Sequence, residues 1–101
     1  MNRKEELKQA TKFFDIALET LSNKAHDYAQ DDDCFSNFKK ISYLVEIPVD
    51  KVFLTFMTVK IARIVELLKK QETKVGESIQ DSLMDMANYS CLMSIFLGDK
   101  A

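Results

Sequence analysis

The chain has 101 residues, 47% hydrophobic and 30% charged, with a formal net charge of −2; this excludes a disordered or low-complexity protein and suits one domain hiding ~65% of its unfolded surface. Only two glycines and one proline leave few sites for tight turns, which argues against a sandwich, a barrel or a Gly-rich phosphate loop and for helices. The near-neutral charge exerts no general pull on nucleic acid, so any anion site has to be assembled locally.

The 3.6-residue hydrophobic period predicts four helices. The first spans about Asn2 to Ala25, with Leu7, Ala10, Phe14, Ala17, Leu18 and Leu21 expected on an inward stripe. A polar loop is expected from Asn23 to Asp33. A short helix follows from Phe35 to Glu46, with Phe38, Ile41, Leu44 and Val45 inward, broken at Ile47-Pro48 because a residue before proline avoids the α region. The third helix, about Val49 to Gln71, opens on Pro48 or Val49 with Asp50 near the positive end of its dipole. Twelve of its seventeen residues from Val52 to Leu68 are apolar. A helix that wants burial on nearly every side is more easily satisfied by a subunit interface than by one small bundle. After a linker from Glu72 to Gly76, the fourth helix is expected from Glu77 to Leu97, stopped by Gly98. The expected architecture is a single all-α, four-helix domain over residues 1–101 that forms a homo-oligomer, dimer or tetramer.

Two cysteines, Cys34 and Cys91, cannot make a disulfide framework or a four-thiolate metal site. Met1 to Lys12 is charged throughout and lacks the apolar segment of a signal peptide, and no apolar run approaches the ~20 residues of a membrane span. A cytoplasmic protein without membrane or DNA partners is expected.

Three constellations carry chemical content. On the fourth helix Glu77, Asp81, Asp85 and Asn88 are spaced four, four and three apart, one polar stripe within about 80° of the helix circumference. Carboxylates one turn apart repel, so the stripe calls for a divalent cation, a basic partner helix, or plain solvent. On the third helix Lys60 and Arg63 sit one turn apart amid apolar neighbours, where a cation normally needs an anion. Either they bridge to Asp81 or Asp85, or they clamp a phosphate, Arg as a planar fork and Lys as a point charge. Third, Lys24, His26, Asp27, Tyr28, Phe35, Asn37 and Phe38 gather basic, acidic and aromatic groups suited to stacking and edge-reading a base, although both phenylalanines fit a core better than a base stack. Asp31 to Asp33 lack the Gly and distal Glu of a calcium loop. No nucleophile constellation and no dinucleotide or Walker fingerprint is present.

Taken together, Lys24-x-x-Asp27-Tyr28, Phe35-x-x-Phe38, Lys60-x-x-Arg63-Ile64 and Glu77-Ser78-Ile79-x-Asp81-x-Leu83-x-Asp85-x-x-Asn88-Tyr89 resemble small phage and bacterial proteins of the nucleotide-modification-associated, MazG-like group. The resemblance covers about Asn23 to Leu97 and is most specific from Glu77 to Tyr89. It implies an all-α nucleotide-pyrophosphatase-like fold that oligomerises, with its ligand where helices of different subunits meet. By that resemblance, Lys24, Asp27, Tyr28, Phe35, Asn37, Lys60, Arg63, Asn88 and Tyr89 would bind a nucleotide, and Glu77, Asp81 and Asp85 would hold Mg²⁺. Cleavage of a nucleoside triphosphate to monophosphate and pyrophosphate is the activity implied. The first acidic motif of MazG-type enzymes, Glu-Glu-x-x-Glu, does not occur here, and the corresponding pair on the third helix is basic. Two alternatives stand beside hydrolysis: a non-catalytic sponge for a linear or cyclic nucleotide signal in phage anti-defence, acting in the host cytoplasm, and a purely structural assembly protein.

Overall fold

A computed structural model describes residues 1–27, 33–70 and 75–100, the side chains of 25–27, 75–77 and 100 excepted. Its elements are four helices: α1 (Arg3–Asp27), α2 (Ser36–Val45), α3 (Val49–Leu68) and α4 (Val75–Lys100). There is no strand among the described residues. None of these helices is long and apolar enough to cross a membrane.

Local chemistry sets the helix ends. Asn2 caps α1: its Oδ1 accepts the Glu5 N–H at 2.9 Å, and Glu5 and Glu6 place negative charge in the first turn. Ahead of α2, whose N-cap Phe35 makes no side-chain cap, Asp33 forms a local turn, accepting the Phe35 N–H at 2.9 Å while also meeting the Lys39 ammonium. At the far end of α2, Glu46 adopts the left-handed conformation (φ 59°, ψ 44°) and its N–H returns to the Ser42 carbonyl. The Ser42 hydroxyl donates to the Ile47 carbonyl, and Pro48 then caps α3 with φ −60°. α2 and α3 are thereby joined by a turn of three residues.

The core lies at one end of the α3–α4 pair. Phe53 is fully buried, surrounded by Phe35, Phe38, Val52 and Phe96, with Phe56, Tyr89, Leu92 and Met93 packed around them. Phe38 stacks on Phe53 at 4.3 Å, and Phe96 meets Phe35 edge-on at 5.4 Å. Helices α3 and α4 form the main contact, α2 leans on α3, and α1 rests on α4 alone. The radius of gyration, 15.7 Å, exceeds the ~13 Å of a compact domain of this length.

Several sequence expectations are corrected. The helix of α1 continues to Asp27, five residues into the expected loop; residues 28–32 of that loop lie outside the described residues. Only Ala17 of its expected inward stripe is buried, whereas Leu7, Phe14 and Leu18 are more than half exposed. The reason is that α1 touches one neighbour, along Ala10, Phe13, Ala17 and Thr20, so a second apolar face is left over. In α2, Phe38 points in as expected but Leu44 and Val45 do not. α3 stops at Leu68 and not Gln71. α4 begins at Val75, inside the expected linker, and Gly98 does not end it. That glycine has no positive φ, and nothing lies within 4 Å of where its Cβ would sit. A glycine stops a helix only when the backbone reverses there; otherwise it costs the helix about 1 kcal/mol and is carried through.

Candidate functional site

Further along the α3–α4 pair from the aromatic cluster, three helices contribute one charged side chain each. Asp85 on α4 accepts from Lys60 of α3, with Nζ to Oδ2 at 2.7 Å. Its other oxygen, Oδ1, lies 3.5 Å from Nζ of Lys24 on α1. The carboxylate and Lys60 are about three-quarters buried, whereas Lys24 is half exposed. One anion thus faces two cations drawn from segments far apart in the chain. The cluster carries a net positive charge and stays open to solvent on the Lys24 side.

Each partner is set by local helix geometry. Lys60 continues the core-facing stripe of α3 that runs through Phe53 and Phe56, in steps of three and four residues, and its ammonium meets Asp85 across the α3–α4 contact. One turn further, Asn88 donates from Nδ2 to the Ala17 carbonyl at 3.0 Å, fastening α1 to α4 where the smallest side chain of α1 allows close approach. Tyr89 lies against Phe56 with ring centroids 5.5 Å apart, so the polar cluster is continuous with the aromatic core.

The structure therefore divides the expected site residues. It brings Lys24, Lys60 and Asp85 together. Arg63 and Asp81 are exposed and form no ion pair with any described residue. Asn88 is engaged as a fastener between helices, and Phe35 is sealed into the core rather than offered to a base. Asn37 is exposed on α2. Tyr28 and the side chains of Asp27 and Glu77 lie outside the described residues. The pairing of Lys24 with Asp85 was missed from the sequence, where one was assigned to a nucleotide and the other to a metal. Asp50 was read only as a helix-dipole charge; one of its carboxylate oxygens is buried without a hydrogen-bond partner.

Asp85 already faces two ammonium groups, and no three His, Cys, Asp or Glu converge among the described side chains. What the arrangement offers is positive charge on converging helices, which suits an anion with several oxygens. An open groove of about 730 Å³ also lies between α1 and α4, lined by Phe13, Ile16 and Met84 together with Lys8 and Lys12. None of the three charged partners lines it.

Neither a curated protein nor a solved structure matches this chain at a significant level. A family does: residues 24–97, which run from Lys24 through the whole of α2 and α3 and most of α4, match the group described as nucleotide modification associated domain 1. That span includes all three members of the ionic cluster and the entire aromatic core, and the chain belongs to this family.

Proposed function

We propose that this chain binds a phosphorylated nucleotide, with Lys24 and Lys60 taking the phosphates and Arg63 adding a third cation from the exposed side of α3. The observation that carries this is the convergence of two ammonium groups from separate helices on the single carboxylate of Asp85. A phosphate brings more charge and more acceptor oxygens than a carboxylate, so it competes for both lysines and leaves Asp85 to orient one of them. Membership of a nucleotide-associated family supports a nucleotide as the source of that phosphate. Binding without cleavage is the form of the proposal that the described carboxylates favour.

Triphosphate hydrolysis of the MazG type is the second reading, supported by Asp81 and Asp85 standing four residues apart on α4. It would need Mg²⁺, held by Glu77, Asp81 and Asp85, to activate the attacking water.

The test is mass spectrometry of small molecules released from heat-denatured protein, together with calorimetric titration of ATP. The expected result is an intact nucleotide released from wild type, and ATP binding weakened at least tenfold in Lys60→Ala. Equal ATP affinity in wild type and Lys60→Ala would overturn the phosphate assignment. Pyrophosphate released from ATP in the presence of Mg²⁺, and lost in Asp85→Asn, would replace binding by hydrolysis.

A further inference from the structure

The groove between α1 and α4, about 730 Å³, falls within the roughly 300–1,000 Å³ of small-molecule sites. Its floor is apolar, built from Phe13 and Ile16 of α1 and Met84 of α4. Ile16 is 39% exposed, so the helix contact does not seal this floor from an incoming ligand. The unbranched chain of a methionine adapts to irregular apolar shapes. On the α1 side stand Lys8 and Lys12, one turn apart, and neither forms an ion pair with any described residue. Like charges at that spacing repel, and an anion placed between them removes the repulsion. Glu5 lines the same groove, so two lysines against one glutamate leave a single net positive charge.

These features select one ligand chemistry. A wholly polar anion would leave Phe13, Ile16 and Met84 wet, and a neutral oil would strip water from the lysines without replacing it. A polyphosphate brings more negative charge than one net cation answers and meets Glu5 as well. We propose that the groove binds an amphipathic monoanion of the medium-chain fatty-acid type, its carboxylate between Lys8 and Lys12 and its chain along Phe13, Ile16 and Met84. The helix rises about 9 Å from the middle of the lysine pair to Ile16, which calls for a chain of medium length and not a short acid. Each methylene placed on that floor adds up to roughly fourfold in affinity, while the carboxylate makes charge-assisted hydrogen bonds to both ammonium groups.

The experiment is calorimetric titration of octanoate into the full chain without nucleotide, with 1-octanol and acetate as comparisons. Octanoate should saturate at one equivalent, and 1-octanol and acetate should each bind more weakly by about tenfold or more. The double variant Lys8→Gln/Lys12→Gln should lose about tenfold or more while keeping a helical far-UV spectrum. Phe14→Asn, on a 62% exposed residue of α1 outside the groove, should bind octanoate as wild type does. Absence of saturable octanoate binding overturns the proposal, as does equal affinity for 1-octanol or acetate. So does full affinity in the lysine variant, or its loss in Phe14→Asn. Should the lysine variant fail to fold, the amide chemical shifts of wild type decide. Octanoate should move those of Lys12, Ile16 and Met84 most, and shifts centred on the exposed Leu7, Phe14 and Leu18 overturn the groove. Lys24, Lys60 and Asp85 take no part in the groove, so these outcomes are separate from those that test phosphate binding.

Discussion

The two ends of the α3–α4 pair use opposite physics. At the aromatic end, Phe35, Phe38, Phe53 and Phe96 interlock and exclude water. At the polar end, α1 is held on α4 by a buried alanine, one side-chain amide and a lysine, and the Lys24 side of the charge cluster stays open to water. The first arrangement supplies folding energy with no group free to react. The second supplies little energy but keeps charged groups where a ligand can reach them. Half-exposed ion pairs contribute about 0–1 kcal/mol, whereas a fully buried aromatic ring contributes several.

The comparison is broken most directly at Phe53. Phe53→Ala should cost about 3–5 kcal/mol in urea unfolding, enough to unfold much of the protein, because no side chain nearby can fill a void at 0% exposure. A loss below about 1 kcal/mol would show that the aromatic end is not the centre of stability. Next in size, Asn88→Ala should cost about 1 kcal/mol, read as faster amide exchange in α1 with α3 and α4 little changed. Uniform exchange across all helices would mean that α1 is not separately attached.

Lys60→Ala should shift urea stability by less than about 1 kcal/mol while weakening ATP binding, the pattern of a wet site that functions more than it stabilises. The smallest effect is expected at Asp33. Its carboxyl is held below the ordinary Asp value by the Lys39 ammonium and by the Phe35 N–H. A depressed folded pKa adds stability above the unfolded value near ~3.9, and that increment disappears as pH falls through the folded value. Asp33→Asn should therefore lower stability slightly at neutral pH, leave it almost unchanged in strong acid, and so flatten the acid limb of a stability-pH curve.

Much of the fold was legible because apolar residues repeat with helical period, and Ile47-Pro48 marks a break that needs no tertiary context. Phe38 could be placed inward on the same grounds. The orientation of α1 could not. Its period supports two apolar faces, through Ala17 and through Phe14, and only the neighbour it docks against decides which is covered. Gly98 illustrates a different limit: glycine permits a helix to end without compelling it. At the site, spacing on one helix identified Asp85, and the apolar setting of Lys60 pointed to a need for an anion. The Lys24–Asp85 contact joins residues sixty-one positions apart, and no local pattern encodes such a meeting. Asn88 shared a stripe with three carboxylates, which concealed that its amide serves the neighbouring helix.

The attachment of α1 to α4 alone has a thermodynamic consequence. Lys24 rides on α1 and Lys60 on α3, so any anion gripped by both becomes a strap between helices that otherwise do not touch. Ligand affinity and the docking equilibrium of α1 are then linked: whatever loosens α1 weakens capture, and capture in turn protects α1 from opening by the same free energy.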